Sequence, residues 1–226
     1  MSAEPAPRVV VAREYDEHGE IALARRGEVV ELIVDGVFAM DTVDSSSERA
    51  LATLALQRLR GEGLRVLAGG LGLGFTARAL LDEPRVAAVH VVELHEALVG
   101  WARQGLVPGV NGLLDNPRLH VTVGDVLLVV PALEPGELDA ILLDVDNGPD
   151  FLIHQQNAEV YRPAFLQAAT RALAPGGVLA VWCCDPAPRL ADDLATACGP
   201  VETVTIGVVR DGRELTYTVL LATRPR

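Results

Sequence analysis

The sequence is short of several things, and each shortage narrows what the chain can be. Basic residues are outnumbered, with 19 Lys and Arg against 31 Asp and Glu and a net charge of −12. Nothing therefore supplies the cationic stripe that neutralises nucleic-acid phosphates. Cysteine is scarce: Cys183 and Cys184 are adjacent and Cys198 stands alone. Neighbouring cysteines rarely bridge each other, so the odd count fits reduced thiols buried as small apolar groups. Neither Cys-x-x-Cys nor histidine-rich spacing is present, so no metal is expected. No apolar run reaches the roughly 20 residues of a membrane span. The start, MSAEPAPRVV, lacks the basic opening and apolar centre of a secretory signal. It reads as a short frayed arm on a cytoplasmic protein.

What is present is apolar residue in plenty, half of the 226, and no low-complexity tract, enough for one core with a small appendage. Segments near 20–26, 28–34 and 37–41 are short and β-prone, and Asp35-Gly36 is a two-residue hairpin signal. They suggest a small antiparallel sheet within residues 1–44. DSSSERALATLALQRLR then opens a helix, with Ser45 or Ser46 as its cap.

From residue 65 short apolar runs alternate with helical stretches. The strands expected are 65–68, 88–93, 119–123, 138–143 and 178–183, with helices near 74–82, 95–104, 126–132 and 157–173. Continuous apolar runs indicate strands covered on both faces, and the alternation gives a doubly wound, mostly parallel sheet over 45–226. Two final runs, 201–209 and 214–222, joined at Asp211-Gly212, read as an antiparallel hairpin.

In such a sheet a ligand binds beyond the carboxyl ends of the strands, where strand order reverses. VLAGGLGLGF places Gly69, Gly70, Gly72 and Gly74 at the first strand–helix turn, and Glu93 ends the next strand. Glycines let backbone approach a ligand, and an acid at about that distance suits the hydroxyls of a ribose. The plain alternative is a glycine-rich turn. Asp125 ends the third strand, placed for an adenine amino group, with Leu94 and Val126 flanking the nucleoside, and Asp144 ends the fourth.

Acids ending strands two, three and four, then the Leu-x-Pro-Gly-Gly of RALAPGGVLAVW, then an antiparallel final hairpin, resemble the class I S-adenosylmethionine-dependent methyltransferase fold. NPRLHVTVGDV and the Asp-rich DVDNGP narrow the resemblance to its spermidine synthase-like branch. That resemblance implies a seven-stranded Rossmann-like sheet, a nucleoside donor, a small-molecule acceptor and a homodimer formed through the N-terminal β region.

The chain departs from the polyamine synthases of that branch. They typically carry an acid in the glycine loop, where this chain has Gly72, and a second acid after strand four, where it has Asn147. Ser45-Ser46-Ser47, rather than a tyrosine, precedes Glu48. A loop carboxylate attracts the bare ammonium of decarboxylated S-adenosylmethionine. Such a pair about 4 Å apart is worth about 1–4 kcal/mol at dielectrics of 80 to 20, enough to decide between donors. Without it the intact amino-acid tail fits and can meet the loop N–H groups, so methyl transfer to an amine or an aromatic natural product such as an indole is expected. Aminopropyl transfer to a polyamine, and a nucleoside-binding protein without activity, stand as alternatives. Asp144 is the first candidate base, Asp146 the second and His154 the third, with a solvated loop histidine as the plainer reading of the last. Glu48 and Asn147 are candidates for the acceptor side, although Glu48 equally suits a helix cap. Tyr161, Phe165, Trp101 and Trp182 read as core.

Overall fold

The computed structural model describes residues 6–210 and 213–226. A four-stranded antiparallel sheet comes first: β1 (Arg8–Asp16), β2 (Gly19–Arg26), β3 (Val29–Val34) and β4 (Val37–Asp41), in sequential order. Asp35 and Gly36 both have positive φ, 50° and 74°, as the tight turn between β3 and β4 requires. The last three residues of the expected frayed arm, Arg8–Val10, belong to β1, and its first five lie outside the described residues. The turn from β1 into β2 has no Asn-Gly type signature; it is held by Asp16, whose Oδ1 accepts the His18 N–H at 2.8 Å.

Helix α1 (Ser46–Arg58) follows, with Leu51, Ala52, Ala55 and Leu56 buried at helical spacing. The expected serine cap is not used. Asp44 Oδ1 accepts the Ser46 N–H instead (2.9 Å), while Ser45 Oγ accepts from Arg49.

The main sheet has seven strands: β5 (Leu64–Gly69), β6 (Val86–Glu93), β7 (Leu119–Val123), β8 (Leu138–Leu143), β9 (Leu173–Cys183), β10 (Val201–Arg210) and β11 (Arg213–Thr223). Their spatial order is β10-β11-β9-β8-β5-β6-β7, parallel from β7 to β9 and antiparallel at β11 and β10. The expected doubly wound fold is present, and its order reverses between β5 and β8. Ala140–Leu143 are all essentially inaccessible, as a strand covered on both faces must be. The covering helices are α2 (Phe75–Asp82), α3 (Glu96–Arg103), α4 (Val126–Ala132), α5 (Pro163–Ala172) and α6 (Pro188–Ala197). Among the described residues no helix is long and apolar enough to cross a membrane.

Three boundaries differ from expectation. The helix expected over 157–173 is a 3₁₀ segment, Gln155–Tyr161, followed by α5, because Pro163 suits the first turn of a helix and not its interior. Ala174-Pro175-Gly176-Gly177 is not a free turn but an irregularity inside β9, whose pairing with β8 slips between Leu138 and Ala140. Helix α6 was not expected; its Leu190 and Leu194 are buried at i, i+4, a stripe too narrow to stand out in the sequence. The hairpin of β10 and β11 forms as expected, while Asp211-Gly212 lies outside the described residues.

Candidate functional site

A cavity of about 390 Å³ lies beyond the carboxyl ends of the parallel strands, at the reversal. The four-stranded sheet roofs it with Leu32, Val34, Phe38 and Met40. Two histidine–carboxylate contacts tie that roof to the main sheet: His95 Nδ1 lies 3.0 Å from the Asp16 carboxylate and His154 Nδ1 lies 3.4 Å from that of Asp35.

Over β5, β6 and β7 sits the half expected to hold a nucleoside. Gly70 and Gly72 line it with φ of 91° and 49°. A Cβ at Gly70 would stand 2.5 Å from the Asp144 carbonyl oxygen, so only glycine fits. Gly69 and Gly74 are not among the lining residues. A Cβ on Gly69 would crowd Val145 and Val126, and one on Gly74 would meet Val110 at 2.5 Å, so their smallness serves packing. Glu93 is buried; Oε2 accepts the Leu71 N–H and Oε1 the His95 N–H, each at 2.8 Å. This fixes the carboxylate on the cavity wall, with a lone pair on each oxygen still available to a hydroxyl. Asp125 lines the cavity and caps α4, accepting the Leu127 N–H at 2.8 Å. Leu94 and Val126 line it beside them.

The expectation that the loop N–H groups stand open to a ligand carboxylate needs correction. Gly70 N–H donates to Val92 O, Leu71 to Glu93, Leu73 to the Met40 sulfur and Gly74 to Leu71 O. Only Gly72 keeps its amide without a partner among the described residues.

Over β8, β9 and β11 lies the other half. Asp144 is deeply set yet keeps surface on the cavity, and Thr76 Oγ1 donates to its Oδ2 at 3.1 Å. Burial first, and then the Glu48 charge, push its pKa up from 3.8 to about 7, against the pull of the Thr76 hydroxyl. At neutral pH such a carboxyl takes up and releases protons readily. Glu48 is buried, lines the same cavity and accepts from Ser47 Oγ at 2.7 Å, so it faces the pocket.

Asp146, the second candidate base, is otherwise employed. Its carboxylate accepts the N–H groups of Asn147, Ile153 and His154 and the Asn157 side-chain amide, at 2.8–3.2 Å. Those bonds organise the loop after β8 and occupy the Asp146 carboxylate, whereas Asp144 accepts from Thr76. Asn147 lines the cavity, but its backbone is also spent, its carbonyl accepting the Cys184 N–H at 2.8 Å. His154 is not a solvated loop residue. It lines the cavity with its side chain 14% exposed, and burial lowers its pKa, which keeps the ring neutral.

Tyr161, Phe165 and Trp101 are core, as expected. Trp182 is core and cavity wall at once, its ring centroid 4.9 Å from that of Tyr217. Cys184 also lines the wall; burial, then the Asp185 charge, raise its thiol to about 11, so it is a poor nucleophile. Sequence reasoning missed Met40, Thr76, His95 and Tyr217. Met40 and Tyr217 reach the site from strands with no motif of their own, whereas His95, two residues past Glu93, and Thr76, two past Gly74, carried a positional hint.

The fold is of the class I methyltransferase type, spermidine synthase-like in its roofing sheet and strand order. The spermine/spermidine synthase domain matches residues 31–187, more than half of the chain, and the chain belongs to that family. It is 33% identical over 179 residues to a polyamine aminopropyltransferase of Mycobacterium tuberculosis (strain CDC 1551 / Oshkosh), covering 78% of this chain and 33% of that protein. It is 30% identical over 117 residues to putrescine N-methyltransferase 4 of Nicotiana tabacum, covering 51% of this chain and 28% of that protein. The chain thus spans about a third or less of these curated relatives. The spermidine synthase of Thermotoga maritima shares the fold, with a TM-score of 0.79 at 18% identity, covering 95% of this chain and 72% of that one. A spermidine synthase crystallised with the transition-state analogue AdoDATO is similar, with a TM-score of 0.81 at 19% identity, covering 95% of this chain and 73% of the other.

Proposed function

We propose that the chain transfers a methyl group from S-adenosylmethionine to a small-molecule acceptor, an amine or an electron-rich aromatic. The observation that carries this reading is the loop itself: Gly72 and the Met40 sulfur stand where an ammonium-binding carboxylate would have to be. The similarity to putrescine N-methyltransferase 4 of Nicotiana tabacum supports methyl transfer on this scaffold.

When bound, S-adenosylmethionine supplies a methyl group on a sulfonium, open to displacement by a nucleophile. Glu93 holds the sugar, Gly70 lets the backbone come close, and Asp125 receives the base, so the donor's position is fixed before reaction. The walls Trp182, Tyr217 and Phe38 enclose the acceptor and hold it in line, which is the main source of rate in such a displacement. Asp144, half-protonated near neutrality, takes the proton that the nucleophile must lose. Glu48 raises the basicity of Asp144 and attracts a cationic acceptor.

A second reading, aminopropyl transfer from decarboxylated S-adenosylmethionine, is favoured by the cavity's charge. Six carboxylates line it (Glu48, Glu93, Asp125, Asp144, Asp146 and Asp185) and, among the described residues, no arginine does. The identity to a polyamine aminopropyltransferase supports it too. Product mass decides between them: purified protein is offered each donor with putrescine, tryptamine and tyramine. Methylated product from S-adenosylmethionine is expected. Aminopropylated product alone would reverse the choice, and donor binding without any product would favour a nucleoside-binding protein without activity.

A further inference from the structure

One contact at the glycine loop plays no part in holding sugar or base. Met40 reaches from β4 into the cavity, and its Sδ accepts the Leu73 N–H at 3.1 Å. The same sulfur lies 2.7 Å from where a Cβ on Gly72 would stand, so the thioether fills the space a side chain at 72 would claim. The Gly72 N–H beside it has no partner among the described residues. Two successive amides of the loop therefore lack an oxygen acceptor, one vacant and one resting on sulfur.

A thioether is a weak acceptor, and methionine's unbranched chain adapts its shape easily. Charge-assisted bonds from N–H to a carboxylate are roughly twice as strong as neutral ones. In a cavity lined by carboxylates and, among the described residues, by no arginine, these amides are groups a ligand carboxylate can use. We propose that Met40 is a displaceable plug that reads the tail of the bound nucleoside. A tail ending in a carboxylate moves the thioether aside and takes the Gly72 and Leu73 N–H groups, whereas a tail ending in an ammonium, or cut short, leaves the thioether in place. The inference rests on the transferase reading and adds to it a specificity residue outside the glycine loop, on the roofing sheet.

Two nucleosides test it: S-adenosylhomocysteine, which keeps the amino-acid tail, and 5′-methylthioadenosine, which lacks it. In Met40→Glu the new carboxylate occupies the two amides. By titration calorimetry the variant should lose about tenfold to a hundredfold in affinity for S-adenosylhomocysteine, as expected for losing hydrogen bonds to a charged group. Its affinity for 5′-methylthioadenosine should stay within about threefold, a change under roughly 0.7 kcal/mol. Parallel losses for both nucleosides, or an undiminished grip on S-adenosylhomocysteine, overturn the proposal. Met40 is the single methionine besides Met1, so the wild type labelled at its methionine methyl groups gives a second measurement that needs no stable Met40→Glu protein. The Met40 resonance, assigned from Met40→Leu, should shift strongly with S-adenosylhomocysteine and little with 5′-methylthioadenosine; equal shifts overturn the proposal. A wild type that binds neither nucleoside removes the transferase reading and the plug together, whereas parallel behaviour of the two removes the plug alone.

Discussion

The two halves of the cavity treat their carboxylates in opposite ways. Over β5, β6 and β7, Glu93 takes two backbone N–H groups and Asp125 one. Over β8, Asp144 takes a single hydroxyl from Thr76 and faces the buried Glu48. Backbone N–H groups fix a carboxylate in place, while burial beside a like charge favours the proton of Asp144. Acids that look alike at successive strand ends thus divide into holders, tied to backbone N–H groups, and one, Asp144, whose proton is favoured. Asp146, two residues past Asp144, belongs with the holders, because it organises a loop.

The largest expected effect breaks the proton-accepting half. Asp144→Asn should lower turnover by about 10²–10⁴-fold, as loss of a general base does, with donor affinity by calorimetry little changed. If affinity falls as far as turnover, Asp144 is a holder and the contrast between the halves fails. Glu93→Ala should act on the other half, weakening donor binding by about tenfold to a hundredfold, since it strands two buried N–H groups and the sugar hydroxyls. Unchanged binding by titration would remove Glu93 from the nucleoside site.

The pH dependence sharpens the comparison. Ionisation of Asp144 through about 7 should make the rate rise through neutrality. Glu48→Gln removes the second cause of the raised value, so the limb should move to lower pH while staying above an ordinary carboxyl, because burial, the first cause, remains. A limb that does not move would show that Glu48 is not felt by Asp144. Stability carries the reverse sign. The folded state holds the Asp144 proton more tightly than the unfolded chain, so this group's contribution is fully present below about pH 4 and is lost as pH rises to about 7. Thermal melts of wild type and Asp144→Asn across that window should show the wild type losing stability relative to the variant as pH rises. The smallest effect expected is Asp125→Ala, which removes a helix cap worth about 0.5–2 kcal/mol, visible as a lowered melting temperature.

Much of this was legible in the sequence where local chemistry decides. The apolar runs of β5, β6 and β8, the Asp35-Gly36 turn and the strand-end acids all announce themselves through residue type and spacing. Strand-end position did not reveal which acid is saturated, because that depends on which N–H groups the loops bring round. Asp146 read as a base until its four donors, drawn from as far along as Asn157, were in place. Met40 was illegible for the same reason: β4 is an ordinary strand whose side chain reaches the cavity through long-range packing. Helix α6 and β1 were missed because a narrow apolar stripe and an unmarked turn carry little local signal.

The contrast between a holding half and a reacting half presupposes a donor with an intact tail lying over the uncharged loop at Gly72. Titration of the wild-type protein with S-adenosylmethionine and with its decarboxylated form tests this most directly. Tighter binding of S-adenosylmethionine is the expected result; tighter binding of the decarboxylated donor would contradict it.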